Sequence, residues 1–174
     1  IFIFLAIIVF TFIRYFIAHF LSPLLDSKEV FIESAKFLRV RSFGIFFAFI
    51  NVSFRAFYIG ISHTKIITWS TIGMALVNIV LDYILIFGKM GFTAMGIEGA
   101  ALASVIAEIT ACAIFITYTL LTIDLNKYNL FKYLGFDINL LKNIFLISFP
   151  VMLQNFISLS GWFIFFVFVE KLGE

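Results

Sequence analysis

Asn78 and Asp82 stand four residues apart in the run Asn78-Ile79-Val80-Leu81-Asp82-Tyr83-Ile84-Leu85-Ile86-Phe87-Gly88, which is otherwise almost wholly apolar. On a helix that spacing puts an amide and a carboxylate on one face, and Thr71, seven residues earlier, extends the stripe. A carboxylate beside an amide oxygen suits a proton or a hard cation such as sodium, which prefers oxygen ligands. If the helix crosses a bilayer, the charge costs a few kcal/mol or more, so it must face a partner or a polar pathway. The alternative role for the pair is an interhelical hydrogen bond that holds a bundle together.

Other polar residues sit in apolar surroundings. Glu108, four residues after Ser104, reads either as a second intramembrane acid or as the partner of Arg55 or another cation. Arg55 lies seven residues before Ser62, close enough to a helix end for its charge to snorkel out. Arg14 and His19 read as interfacial anchors or as the lining of an aqueous vestibule. Pro150 removes a backbone hydrogen bond and can bend its helix, with Gln154 and Ser158 following on the same side, which suits a gating element. Enzyme signatures such as H-E-x-x-H, G-x-S-x-G or a Walker loop are absent from the sequence, and His19 and His63 are far apart. The single Cys112 excludes an internal disulfide framework and a cysteine-based metal cluster, and leaves a packing role.

The elements that must position these groups follow from composition. The 174 residues are 63% hydrophobic and 13% charged, against roughly half and a quarter in soluble domains. A water-soluble fold of this length could not hide so much Phe, Ile and Leu, so the expected class is an all-α integral membrane protein. The net charge of +2 gives no reason to expect nucleic acid. A membrane helix needs about 20 mostly apolar residues, and five such segments can be drawn. They run from about Ile1 to Leu21, Val40 to Ile61, Ile66 to Phe87, Gly99 to Ile123 and Asn143 to Val169. The continuous apolar runs are unlike the alternation of barrel strands.

The connections are expected to be a polar joint holding Asp26, Lys28, Glu29 and Glu33, a tight turn at Ser62-His63-Thr64-Lys65, and a glycine-rich loop from Gly88 to Gly99. The longest linker runs roughly from Asp124 to Lys142. Lys65, Lys127, Lys132 and Lys142 fall on one side of the membrane, and Lys28, Lys36, Arg39 and Lys89 on or near the other, so the positive-inside rule gives nearly a tie. Gly99, Ala103, Ala107 and Ala111 repeat every four residues, as do Ala100 and Ser104, a spacing that lets helix backbones approach closely. The chain opens on Ile inside an apolar run, without a charged leader, and is expected to be an internal piece of a longer membrane protein.

The run from Arg41-Ser42-Phe43-Gly44 through Asn78-Ile79-Val80-Leu81-Asp82 and Gly88 to Gly96-Ile97-Glu98-Gly99-Ala100-Ala101-Leu102-Ala103-Ser104 resembles the multidrug and toxic compound extrusion (MATE) family. Ser148-Phe149-Pro150 looks like the head of that family's seventh helix. The resemblance implies five helices, numbers three to seven, of a twelve-helix, two-lobe fold. Residues 1–123 would be helices three to six of the N-lobe, 124–142 the cytoplasmic linker between lobes, and 143–174 the first helix of the C-lobe. Lys65 and Lys127 would then be cytoplasmic.

In the branch resembling DNA-damage-inducible protein F, a cation site uses an Asp on helix one, an Asn and Asp one turn apart on helix five, and a Thr on helix six. Asn78 and Asp82 match the helix-five pair, Ser104 falls where the Thr hydroxyl is expected, and Asn51 matches a helix-four Asn. Other branches carry an acid on helix seven. Ser158 is the nearest position here, which favours coupling through the N-lobe.

The resemblance therefore implies a plasma-membrane antiporter that exports cationic or amphipathic organic compounds in exchange for Na+ or H+. It implies a monomer in the lipid bilayer, without an organic cofactor, a nucleic-acid partner or enzymatic activity. Na+ at Asp82 and Asn78 would be the one metal ion involved. Glu108, Gln154, Pro150 and Arg55 would be secondary polar or gating residues. The alternatives are a lipid-linked oligosaccharide flippase of the same superfamily and, from another class, a membrane-embedded lipid-modifying enzyme.

Overall fold

A computed structural model of the protein describes residues 2–16, 27–124 and 137–172. Among these residues the secondary structure is helical, without strands, in six helices: α1 (Phe2–Tyr15), α2 (Lys28–Arg41), α3 (Gly44–Gly60), α4 (Lys65–Phe87), α5 (Gly96–Thr122) and α6 (Ile138–Leu172). Helices α1 to α5 belong to one compact unit and α6 to a second. Three helices, α4, α5 and α6, are long and apolar enough to cross a membrane, and the bent pair α2–α3 makes a fourth if taken as one broken span. Helix α1, apolar apart from Thr11 and Arg14, is a shorter apolar helix among the described residues.

The α4 and α5 segments match their expected bounds within a few residues. The second segment differs. Lys28, Glu29 and Glu33 form no loop: they open helix α2, whereas Asp26 lies outside the described residues. The Ser27 hydroxyl accepts from the Val30 N–H as an N-cap. Glu29 in the first turn and Arg39 and Arg41 in the last complement the helix dipole. Lys36 also donates to Glu33 one turn away, at 2.7 Å. Charges placed this way stabilise a helix that a hydropathy window reads as a joint. Helix α2 then meets α3 at a 56° bend at Ser42–Phe43. Ser42 is buried there, its N–H on Leu38 O and its hydroxyl donating to Arg39 O at 2.9 Å, so the break leaves few orphaned carbonyls.

The turn after α4 is tighter than expected. Gly88 caps the helix in the left-handed region at φ +65°, and Lys89 N–H returns to Ile84 O at 2.9 Å. Met95 N–H bonds Leu85 O at 2.9 Å, which closes the loop, so Gly96–Gly99 forms the first turn of α5 and is not loop. A Cβ at Gly88 would fall 2.5 Å from Ala94 N. Gly88→Ala therefore combines a left-handed penalty of about 1–2 kcal/mol with a backbone clash. A fall in the thermal midpoint of the detergent-solubilised full-length protein checks it.

Helix α5 is the hub of the first unit. Gly99, Ala103, Ala107 and Ala111, the small residues at four-residue spacing, are all buried, with Val105, Cys112, Phe115 and Thr119. This face packs chiefly on α4 and also meets α2 and α3. Without large side chains the backbones come close: a Cβ at Gly99 would sit 2.8 Å from the Leu85 carbonyl.

Toward the α5 C-terminus the packing becomes aromatic. Phe115 stacks on Phe54 at 5.5 Å and on Tyr58 at 5.9 Å. Thr119 Oγ1 donates to Phe115 O at 2.7 Å, so the buried Tyr58 hydroxyl donates to Thr119 at 2.6 Å. Tyr58→Phe removes that donor but leaves Thr119 its backbone acceptor. It should cost about 0.5–1.5 kcal/mol in denaturation of the full-length protein.

Helix α6 starts at Ile138, earlier than the expected Asn143, because Asp137 Oδ1 accepts from Asn139 N–H and Leu140 N–H at 2.9 and 3.1 Å. It runs through Pro150 and carries Gln154 and Ser158.

Candidate functional site

Asn78 and Asp82 sit one turn apart on α4, and both side chains are partly buried. Asn78 Nδ2 and Asp82 Oδ1 are each fully buried atoms with no hydrogen-bond partner among the described residues. Most buried polar atoms in folded proteins are paired, so two such atoms in adjacent turns of one apolar helix make a candidate site. Asn78 lines a cavity of about 280 Å³ together with Arg41, Met74, Ala75, Ser104, Ala107 and Glu108. The cavity gathers residues from α2, α4 and α5, and so brings Asn78 and Ser104 together.

The other expected residues are placed as follows. Asn51, on α3, is 6% exposed and donates from Nδ2 to the Glu108 backbone carbonyl at 3.0 Å, while its Oδ1 is buried and has no partner among the described residues. It ties α3 to α5 and is absent from the lining of the Asn78 cavity. Glu108 is an ion-pair partner, and its cation is Arg41, not Arg55. Arg41 Nη1 and Nη2 donate to Glu108 Oε2 and Oε1 at 2.9 and 2.6 Å, a bidentate fork. Arg55 instead donates to Thr71 Oγ1 at 3.3 Å, while Thr71 donates to Ile67 O at 2.8 Å. Thr71 thus continues the polar face on its own contacts.

Arg14 lies over the Phe43 ring at 5.9 Å and lines a second cavity, of about 300 Å³, with Lys36, Arg39 and Glu98. His19 lies outside the described residues. Pro150 and Gln154 belong to α6, in the second unit. Cys112 is a buried free thiol in the α5 packing face.

Arg41 is the functional-site residue that the sequence did not single out. Its signal is indirect: an acid within an apolar helix needs a nearby cation, and Gly44, three residues after Arg41, is the space for the pair. A Cβ at Gly44 would lie 2.6 Å from Glu108 Oε2 and 3.2 Å from Val105 Cγ2. Ser70 also escaped notice; it is fully buried on α4, its hydroxyl unpartnered among the described residues.

Apolar helices of bilayer length, packed along a small-residue face and carrying unpaired polar atoms at mid-helix, define a polytopic α-helical membrane protein. Residues 1–84 match the MatE family model, and with the relatives that follow this supports a MATE-family fragment. It is 32% identical over 106 residues to a protein of Rhizobium meliloti (strain 1021) named probable multidrug resistance protein NorM, covering 61% of this chain and 23% of the relative. It is 30% identical over 125 residues to a protein of the same name from Bacillus subtilis (strain 168), covering 71% and 28%. The counterpart in Halalkalibacterium halodurans is 28% identical over 145 residues, covering 80% and 32%. The chain thus spans less than a third of the length of each of these relatives. No solved structure matches it.

Proposed function

We propose that the full-length protein exports cationic or amphipathic organic compounds across the plasma membrane in exchange for sodium or protons. It works as a carrier by alternating access, one lobe rocking against the other. Residues 1–123 supply helices three to six of the N-lobe, 124–142 the cytoplasmic linker, and 143–174 the first helix of the C-lobe. Asp82 takes the coupling cation, with Asn78 and Ser104 as accessory oxygen ligands. Occupancy of Asp82 shifts the balance between the two conformations because the cation binds one of them more tightly.

The match to the MatE family model and the names of the relatives support the efflux reading. The observation that carries the site is Asp82 Oδ1, a buried carboxylate oxygen with no hydrogen-bond partner among the described residues, one turn from the Asn78 amide.

The test is the full-length protein in liposomes loaded with a fluorescent organic cation. An imposed sodium or pH gradient should drive dye movement, and collapsing the gradient with an ionophore should stop it. Dye movement indifferent to both gradients, or translocation of a lipid-linked oligosaccharide in its place, contradicts the reading.

A further inference from the structure

The Arg41–Glu108 pair has a place in the same cavity as Asn78 and Ser104. It is not a surface bridge: the Glu108 side chain is 14% exposed and the Arg41 side chain 31%. The fork is bidentate, so both carboxylate oxygens of Glu108 are engaged. Asn51 binds the backbone of Glu108 from α3, which fixes the turn of α5 that presents the carboxylate. Gly44 supplies the clearance, and the bend between α2 and α3 delivers the guanidinium from the end of α2. Three helices therefore cooperate to place one fixed positive charge on one intramembrane carboxylate.

We infer that Glu108 is a latent monovalent-cation site whose occupant is the tethered guanidinium of Arg41. Apart from Glu98 in the first turn of α5, Glu108 and Asp82 are the acids of α4 and α5, and they differ in their partners. Glu108 has a built-in counter-charge, whereas Asp82 Oδ1 has no partner among the described residues. An acid in an apolar setting is held with a cation of some kind. At Glu108 the chain provides it; at Asp82 it must come from the bulk phase. Arg41 thereby confines coupling to Asp82 and sets how many cations move per cycle. The groups facing Glu108 are Arg41 from α2, Asn51 from α3, Asn78 from α4, with Asp82 one turn further along, and Ser104 on α5 itself. Arginine stays charged under all accessible conditions, so the counter-charge beside Glu108 is permanent.

This inference rests on the cation-coupled reading above, and the experiment separates the two. Full-length wild type, Arg41→Gln and the double variant Arg41→Gln/Glu108→Gln are reconstituted. Dye efflux is then followed against sodium concentration, with choline as replacement, and against pH. Wild type without any cation dependence overturns the coupled reading itself. With wild type coupled, Arg41→Gln should require one additional cation, seen as a steeper dependence on sodium or protons. The double variant should return to the wild-type steepness. Equal steepness in wild type and Arg41→Gln overturns the inference, as does a double variant that stays steep. If Arg41→Gln is poorly recovered, saturating sodium or acidic pH should raise its yield to that of the double variant. A yield that neither condition improves marks Arg41 as a structural staple alone and equally overturns the inference.

Discussion

Asp82→Asn is expected to reduce gradient-driven dye efflux by the full-length protein to the level of protein-free liposomes, with no loss of expression. The substitution preserves shape and removes only the ionisable group. Asp82 Oδ1 makes no hydrogen bond among the described residues, so none of their hydrogen bonds is lost at that atom. A buried polar atom left unsatisfied costs about 1–3 kcal/mol, more when charged. The variant should therefore melt at the wild-type temperature or above it. Transport lost while the fold is kept is a combination that a structural carboxylate cannot produce. An Asp82 engaged only in bundle cohesion would show the opposite: a lowered midpoint and transport reduced in proportion to the surviving protein.

Gly99→Leu is expected to abolish recovery of monodisperse protein from detergent. The contact is backbone against backbone: a Cβ at residue 99 would lie 2.8 Å from both the carbonyl carbon and oxygen of Leu85. No rotamer change relieves that, so α4 and α5 must separate. Overpacking by a single methyl typically costs about 1–3 kcal/mol, which sets the scale for Gly99→Ala, and the leucine adds three further carbons to the same seam. Because α4 carries Asn78 and Asp82 while α5 carries Ser104 and Glu108, widening the seam also dismantles the site. Gly60 is the matching control. It is helical, and a Cβ there meets nothing within 4 Å. Gly60→Ala, at the last residue of α3, should leave the midpoint unchanged or raise it slightly, by at most about 0.5–1 kcal/mol of stability from helix propensity. Recovery of monodisperse protein for Gly99→Leu, and thermal melts of full-length Gly99→Ala and Gly60→Ala in one detergent, check the ranking.

The features legible in the sequence were those written in local periodicity. The bounds of α4 and α5 follow from uninterrupted apolar runs. The buried face of α5 follows from Gly99, Ala103, Ala107 and Ala111 at helical spacing, and the polar face of α4 from Asn78 and Asp82. What stayed hidden depends on long-range placement. The partner of Glu108 lies 67 positions away in sequence, and nothing in the spacing of either helix selects Arg41 over Arg55. The choice is made by the bend at Ser42–Phe43 and by the clearance at Gly44. Helix α2 was hidden for a related reason: its stability comes from a cap, an internal ion pair and its dipole, which a hydropathy window averages away. Asn51 showed its residue type but not its task, because an amide that bonds a backbone carbonyl looks the same in sequence as one that binds an ion. His19 and residues 125–136 fall outside the described residues.

The central claim is that the carboxylate on α4 binds a cation drawn from solution. Cation uptake by purified full-length protein measures this without a transport assay, as radioactive sodium retained and as protons exchanged with a weakly buffered medium. Wild type should bind one more cation per molecule than Asp82→Asn. Identical stoichiometry in the two proteins would contradict the account.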